Sequence, residues 1–470
     1  MVNYGFVIDN RKCIGCHACT VACKSEHDVP IGVNRTHVKY IEKGTYPDVT
    51  REFSVHRCNH CEDSPCTTIC PTTALFTRND GIVDFDEDRC IGCKSCMQAC
   101  PYDALYINPD KGTAAKCNYC AHRIENSYEP SCVIVCPVEA IISGDLEDQN
   151  SSISLLLDEH ETIVRKPESG AKPNVFYIET SEEMLDPKAT ARDGSYLWTE
   201  QATGVGHFAK YADNLLNSAD TNSMIVQLAL ERKAKDAAPR DEAIIRDVMK
   251  KLDQEKGRPK RSYDQPSKGI LWGYEVSAYI WTKAIASGTY LMAMFGMLLG
   301  YIEYDDQFWL EIIGIGILFL FFTGVLLIKD LDRPERFLYV LLRPNWDSWL
   351  VKGAYVLAFY GGILFASLLI ILFDMNRDYL VYLGYLGIPF SALSGIYTAW
   401  LFQQAKARSW ANDDLLPLKF LFETIIVGMI VLVMVIRKDF VYVFAGMLLL
   451  VILLFHINKG VFRAQMETLH

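Results

Sequence analysis

After Cys136 the chain has no cysteine: all sixteen lie between residues 13 and 136, and the rest of its 470 residues hold none. No export signal is expected either. The opening MVNYGFVIDNRKC has no basic n-region, no apolar h-region and no twin arginine. A disulfide framework belongs to short secreted domains, so sixteen thiols in one region of such a chain point to metal. Excess positive charge is lacking too. With 57 acidic and 46 basic residues the net charge is −11, which argues against a nucleic-acid partner. Long apolar runs are absent before residue 268 and frequent after it, so a soluble part is expected first and a membrane part second.

The cysteines fall into four groups of four. Cys13, Cys16, Cys19 and Cys23 are spaced C-x2-C-x2-C-x3-C. Cys58, Cys61, Cys66 and Cys70 are spaced C-x2-C-x4-C-x3-C before Pro71. Cys90, Cys93, Cys96 and Cys100 repeat the first spacing before Pro101. Cys117, Cys120, Cys132 and Cys136 are spaced C-x2-C-x11-C-x3-C before Pro137. The third group is the bacterial ferredoxin run, in which three thiolates wrap one cube and the fourth ligates its neighbour. Zinc is the plainer alternative, but zinc sites pair two C-x2-C knuckles and do not ask for a third cysteine two residues on. Sixteen ligands at four per cluster leave none over, which predicts four [4Fe–4S] clusters. His17, His56, His60 and His122 lie among the cysteines; with every thiolate present, surface or supporting roles are expected of them.

These four groups resemble the four-cluster electron-transfer subunits of molybdopterin oxidoreductases such as dimethyl sulfoxide reductase and polysulfide reductase. The stretch GDLEDQNSSISLLLDEHETIVRKPESGAKPNVFYI, residues 144–178, is similar to the segment closing that domain. The resemblance covers about residues 1–180. It implies an α+β ferredoxin-like fold in which group one pairs with group four and group two with group three. One cluster then takes Cys13, Cys16, Cys19 and Cys136, and its neighbour takes Cys117, Cys120, Cys132 and Cys23. A third takes Cys58, Cys61, Cys66 and Cys100, and the fourth Cys90, Cys93, Cys96 and Cys70. Lys24 stands where the ferredoxin run carries proline, but proline is not a ligand.

Residues 181–268 read as a connector with helical pieces broken at Pro239 and ending near Gly257. The charge run there is most simply a solvated face, with partner docking the alternative. Residues 269–470 contain six apolar stretches, roughly 273–301, 308–328, 350–373, 379–402, 415–436 and 439–457. Each is near or above the ~20 residues needed to cross ~30 Å of hydrocarbon. The fold class expected is an α+β multi-cluster iron–sulfur domain fused to an all-α transmembrane bundle of about six spans. No haem is expected, because His456 is the lone histidine at membrane depth.

WGYEVSAYIWTKAIASGTYLM, residues 272–292, and KDLDRPERFLYVLLRPNWDSWLVKGAY, residues 329–355, resemble the polysulfide reductase membrane-subunit (NrfD-like) family. That resemblance implies haem-free electron exchange with quinone. It also implies eight or more spans, so a further membrane subunit is the expected complement. Glu275, Tyr279 and Lys283 recur at i, i+4 and i+8 on the first helix. Lys283 lies about 15 Å into the span, where a lysine is costly and marks a functional interior. A structural ion pair with Glu311 or Glu423 is the plainer account. Asp330, Asp332 and Arg333 match the family's DLxRPxRF stretch and either rim the site or anchor the loop.

The leading expectation is an electron-transfer subunit in the inner membrane that links quinone to a catalytic partner subunit, with molybdopterin the candidate cofactor of that partner. The alternatives are a passive anchor for a ferredoxin-like relay, or a subunit of an ion-translocating quinol oxidoreductase resembling alternative complex III. Basic residues cluster before the first helix, after the second and after the fourth; Arg437 and Lys438 disagree. This bias predicts a cytoplasmic cysteine domain and both chain ends inside. A reporter fused after His470 is therefore expected to be active in the cytoplasm; activity on the opposite side would overturn the orientation.

Overall fold

The computed structural model describes residues 2–45, 47–186, 189–192, 259–264, 268, 271–437, 445–450 and 452–453. In the cysteine domain, β1 (Tyr4–Asp9) lies between β8 (Ile141–Asp145), antiparallel, and β10 (Val175–Ile178), parallel, with β9 (Thr162–Val164) on the outer edge of β10. The two ends of the domain therefore close on each other. A second sheet is built on the hairpin β2 (Thr36–Thr45) and β3 (Asp48–Arg57). Strand β12 (Lys260–Tyr263) pairs with β2 and with the short β11 (Ala191–Arg192). Both described ends of the expected connector thus return to the cysteine domain. Its expected helical pieces lie outside the described residues.

Short helices follow the cysteine loops. Helix α1 (Ala18–Glu26) packs on α5 (Ser131–Ile134), and α2 (Pro65–Ile69) packs on α3 (Ser95–Ala99). Two hairpins, β4 (Leu75–Thr77) with β5 (Val83–Phe85) and β6 (Tyr106–Asn108) with β7 (Thr113–Ala115), flank the second pair. The remaining short helices are α4 (Ala121–Ile124), α6 (Ser152–Glu159) and α7 (Glu182–Leu185). The loops of groups one and three share a backbone path: Gly15 and His17 have φ of 70° and 60°, Gly92 and Lys94 of 69° and 59°. Glycine is needed at both first positions, because a Cβ on Gly15 would enter the Phe53 ring and one on Gly92 would meet Asp332 at 2.7 Å.

The membrane half has five long helices among the described residues. They are α8 (Tyr274–Leu298), α9 (Asp306–Lys329), α11 (Trp349–Leu372), α12 (Asp378–Gln404) and α13 (Leu416–Arg437), with the short α10 (Tyr339–Leu342) between α9 and α11. These match the first five expected stretches; the sixth, 439–457, falls largely outside the described residues. Four of the helices, α9, α11, α12 and α13, are long and apolar enough to cross a membrane. Helix α8 is not among these four, and its position accounts for its polarity. It packs on α9, α12 and α13. Sixteen of its 25 residues are buried, against five of 24 in α9. Helix α8 is the axis of the bundle and its neighbours turn Phe321, Phe359, Phe365 and Phe422 outward. Ser277, Thr282, Ser287 and Thr289 on α8 and Thr323, Ser394, Thr398 and Thr424 on the surrounding helices are all buried, and Thr282 meets Thr323 at 2.8 Å between hydroxyls.

Helices α8 and α13 cross closest where Gly288 faces Gly428; a Cβ on either glycine would overlap the other helix's backbone. Backbone cannot move aside as a side chain can. Gly288→Val is expected to destabilise the bundle by at least about 1–3 kcal/mol, read as a lower melting temperature and a lower yield of intact protein in detergent.

Candidate functional site

All sixteen cysteines are free of disulfides. The thiols are gathered by fold, not by order. Burial pushes Cys23 far above the usual thiol range, and the neighbours that add to this are Cys117, Cys132 and Cys120. Its position on the last turns of α1 carries it out of its own loop. Cys13 is raised by burial and then faces Cys136 and Cys16. Cys61 and Cys66 both face Cys58 and Cys100. Cys93 is pushed up to about 12 by burial and, among its thiol neighbours, faces Cys70 and Cys90. Cys96 faces Cys93, Cys90 and Cys70. Among the described residues no three Cys, His, Asp or Glu groups converge on one metal ion. Thiols raised by burial and by one another become thiolates only against positive charge, which iron supplies. The residues fit an iron–sulfur group.

Groups around the sulfurs support that fit. Backbone N–H donors reach Cys90 Sγ from Ala114 at 3.3 Å and Cys136 Sγ from Ala140 at 3.2 Å. Arg57 donates to Cys132 Sγ at 3.2 Å, and His27 Nε2 lies 3.1 Å from Cys120 Sγ. Sequence reasoning did not single out Arg57 or His27. Of the four histidines it named, His122 pairs with Glu26 at 2.7 Å and is exposed. His56 and His60 are buried, with His56 at 2.9 Å from Ser54 Oγ and His60 Nδ1 accepting from the Val83 N–H. His17 packs on Tyr40 and Tyr263.

The set Cys70, Cys90, Cys93 and Cys96 lines a small cavity together with Ile91 and Lys94. Residues of the membrane half hold the carbonyls of three of these cysteines. Trp272 Nε1 donates to Cys93 O at 3.3 Å, Arg336 to Cys90 O at 3.1 Å, and Asn345 Nδ2 to Cys70 O at 2.8 Å. The loop after α9 anchors the contact. Asp332 and Arg333 donate their N–H groups to Gly92 O and Ile91 O, and Lys94 pairs with Asp332 at 3.0 Å. Arg333 and Arg336 are thus docking residues, which makes them weaker markers of orientation than bare charge suggests.

Beneath that contact lies the polar core of α8. Lys283, fully buried, donates to Thr398 Oγ1 and sits 4.2 Å from the Tyr397 ring centroid. Tyr279 shares Thr398 as a hydrogen-bond partner, and Glu423 is the carboxylate whose charge reaches Lys283. Glu275 is one turn nearer the cysteine domain and pairs with Lys329 at 3.5 Å. Burial raises Asp330 to about 7; Lys94 opposes the shift while Glu275 and Asp332 add to it. The structure therefore brings Tyr279 and Lys283 together through Thr398 and sets Glu275 near Asp330 at the docking end. Tyr397 and Thr398 belong to a helix whose sequence carries no charge at that depth, so nothing in the sequence marked them.

This combination defines a class: an iron–sulfur electron-transfer domain joined to a membrane-spanning helical bundle. Residues 49–146 match the 4Fe-4S dicluster domain family, and residues 264–446 match the polysulphide reductase NrfD family. A tetrathionate reductase subunit of Salmonella typhimurium is 42% identical over 201 residues, which are 42% of this chain and 80% of that protein. A polysulfide reductase polypeptide of Wolinella succinogenes is 41% identical over 178 residues, 37% of this chain and 93% of that protein. Protein NrfC of Escherichia coli is 41% identical over 180 residues, 38% of this chain and 81% of that protein. The protein belongs to the family of iron–sulfur subunits of the polysulfide and dimethyl sulfoxide reductase type, here fused to an NrfD domain.

The neighbours of Cys23 lead to a prediction. Cys23→Ser should alter the paramagnetic resonance signal of the same cluster as Cys117→Ser and leave intact the signal that Cys13→Ser alters. If Cys23→Ser and Cys13→Ser perturb one common signal, the crossed arrangement is wrong.

Proposed function

We propose that this chain carries electrons between membrane quinone and a catalytic partner subunit through four [4Fe–4S] clusters, held by the crossed sets named above. The clusters supply one-electron storage and transfer. The observation that carries the quinone assignment is the Tyr279–Thr398–Lys283 network on the bundle axis, directly below the docked Cys90–Cys96 loop. A quinone carbonyl there would accept from the Lys283 nitrogen. Quinone chemistry also moves two protons. Asp330, with Glu275 beside it, offers a carboxyl poised near neutral pH for accepting and releasing them. The buried aromatic cluster of Trp272, Phe402, Trp410 and Phe420, packed with Tyr279, suits the ring system of a quinone; Trp272 and Trp410 stack on Phe402 at 5.5 and 4.9 Å between centroids.

At the other end of the cysteine domain Cys16 is exposed, flanked by exposed Ile14 and Val21. That rim suits contact with the catalytic partner. The names of the relatives, tetrathionate reductase and polysulfide reductase, support a partner that acts on a sulfur compound; molybdopterin is the cofactor that the resemblance of the cysteine groups implies for it. The charge bias supports a cysteine domain on the cytoplasmic side.

Lys283→Met tests the assignment. Removing one hydrogen bond worth ~0.5–1.5 kcal/mol should slow quinol-driven reduction of the clusters by about two- to tenfold. Cluster content and reduction by dithionite should not change. Normal quinol kinetics in the assembled variant would favour a passive anchor, with quinone handled by another subunit.

A further inference from the structure

Two fully buried cations lie between the thiol sets and have no part in the mechanism above. Arg57 is 1% exposed, with its guanidinium 4.4 Å from the Phe6 ring centroid. Among the described residues no carboxylate pairs with it. Its Nη1 donates to Cys132 Sγ, while Nε and Nη2 have no hydrogen-bond partner among those residues. The ionisable groups acting on it are Cys132, Cys117 and Cys19. Cys132 and Cys117 belong to one crossed set and Cys19 to the other. Lys116 is likewise buried and donates to the carbonyls of Val83 and Cys117, the latter at 2.9 Å. Its charge reaches Cys58 and Cys66 on one side and Cys117 on the other. It therefore occupies the next junction between sets.

An isolated charge in a protein interior costs several kcal/mol unless an opposite charge answers it. For Arg57 the thiol sets are the acidic groups within reach, and its two unpartnered donors suit the sulfides of a cluster. A cation held at low dielectric favours the more negative, reduced form of whatever it faces. We infer that Arg57 and Lys116 are electrostatic links: each raises the reduction potential of the two clusters between which it lies, so the cluster of Cys117, Cys120, Cys132 and Cys23 is raised by both. This rests on the four-cluster reading. It adds a prediction of which potentials depend on which side chain.

The test is a redox titration followed by paramagnetic resonance on the intact membrane protein, with signals assigned through the single-cysteine variants. Arg57→Gln should shift to more negative values the midpoints of the clusters of Cys13 and Cys117. Lys116→Gln should shift those of Cys117 and Cys58. The cluster of Cys90 should hold in both variants, and Arg57→Lys, which keeps the charge, should stay near the native values. Unmoved midpoints, or an equal shift of all four, would overturn the inference. Should Arg57→Gln fail to assemble, the pattern in Lys116→Gln decides it. Iron far below about sixteen atoms per unaltered protein molecule would instead sink the four-cluster reading.

Discussion

The N–H groups of Asp332 and Arg333 meet the carbonyls of Gly92 and Ile91 across the boundary between the two halves of the chain, and much else depends on this contact. The approach is possible because Gly92 has no side chain. It joins the loop that carries Cys90, Cys93 and Cys96 to the end of a membrane helix, and the Lys94–Asp332 pair closes it. Apolar packing continues through it: Ile91 and Cys93 share a cluster with Val340, Val351 and Tyr355. The core around groups two and three likewise reaches Leu271 and Leu401 of the bundle. The iron–sulfur domain is therefore seated on the bundle by a shared core and does not hang from a tether.

This seating gives the chain a direction. One set of thiols lies against the membrane half, which holds three of its cysteine carbonyls. Another set, at the far end, leaves Cys16 exposed. Between them the thiols are buried, and the side chains that answer their charge are arginine and lysine. A relay of negatively charged centres needs such compensation, because each added electron is placed where water cannot screen it.

In the bundle the same problem is met differently. Helix α8 carries its polar side chains on the axis, where four apolar helices shield them from lipid. A lysine at that depth is tolerated because its nitrogen donates to a hydroxyl and lies over an aromatic ring.

Local features of the sequence determined the thiol groups, the membrane half and the first five helix positions. Each is set by short-range spacing: a cysteine loop must fit one cube, and a span must match the thickness of hydrocarbon. The stripe of Glu275, Tyr279 and Lys283 was legible for the same reason, since helical periodicity puts those residues on one face. What stood opposite the stripe was not legible. Tyr397 and Thr398 come from a helix more than a hundred residues later, and only packing around α8 brings them to Lys283. The approach of Cys23 to Cys117, Cys120 and Cys132 came from family resemblance, and it takes the packing of α1 on α5 to produce it. Arg57 is an ordinary basic residue at the end of a strand until the fold encloses it between two sets of thiols. Spacing along the chain specifies ligands and spans, but the charges that act on them arrive from distant segments, and only the tertiary structure decides which ones are near.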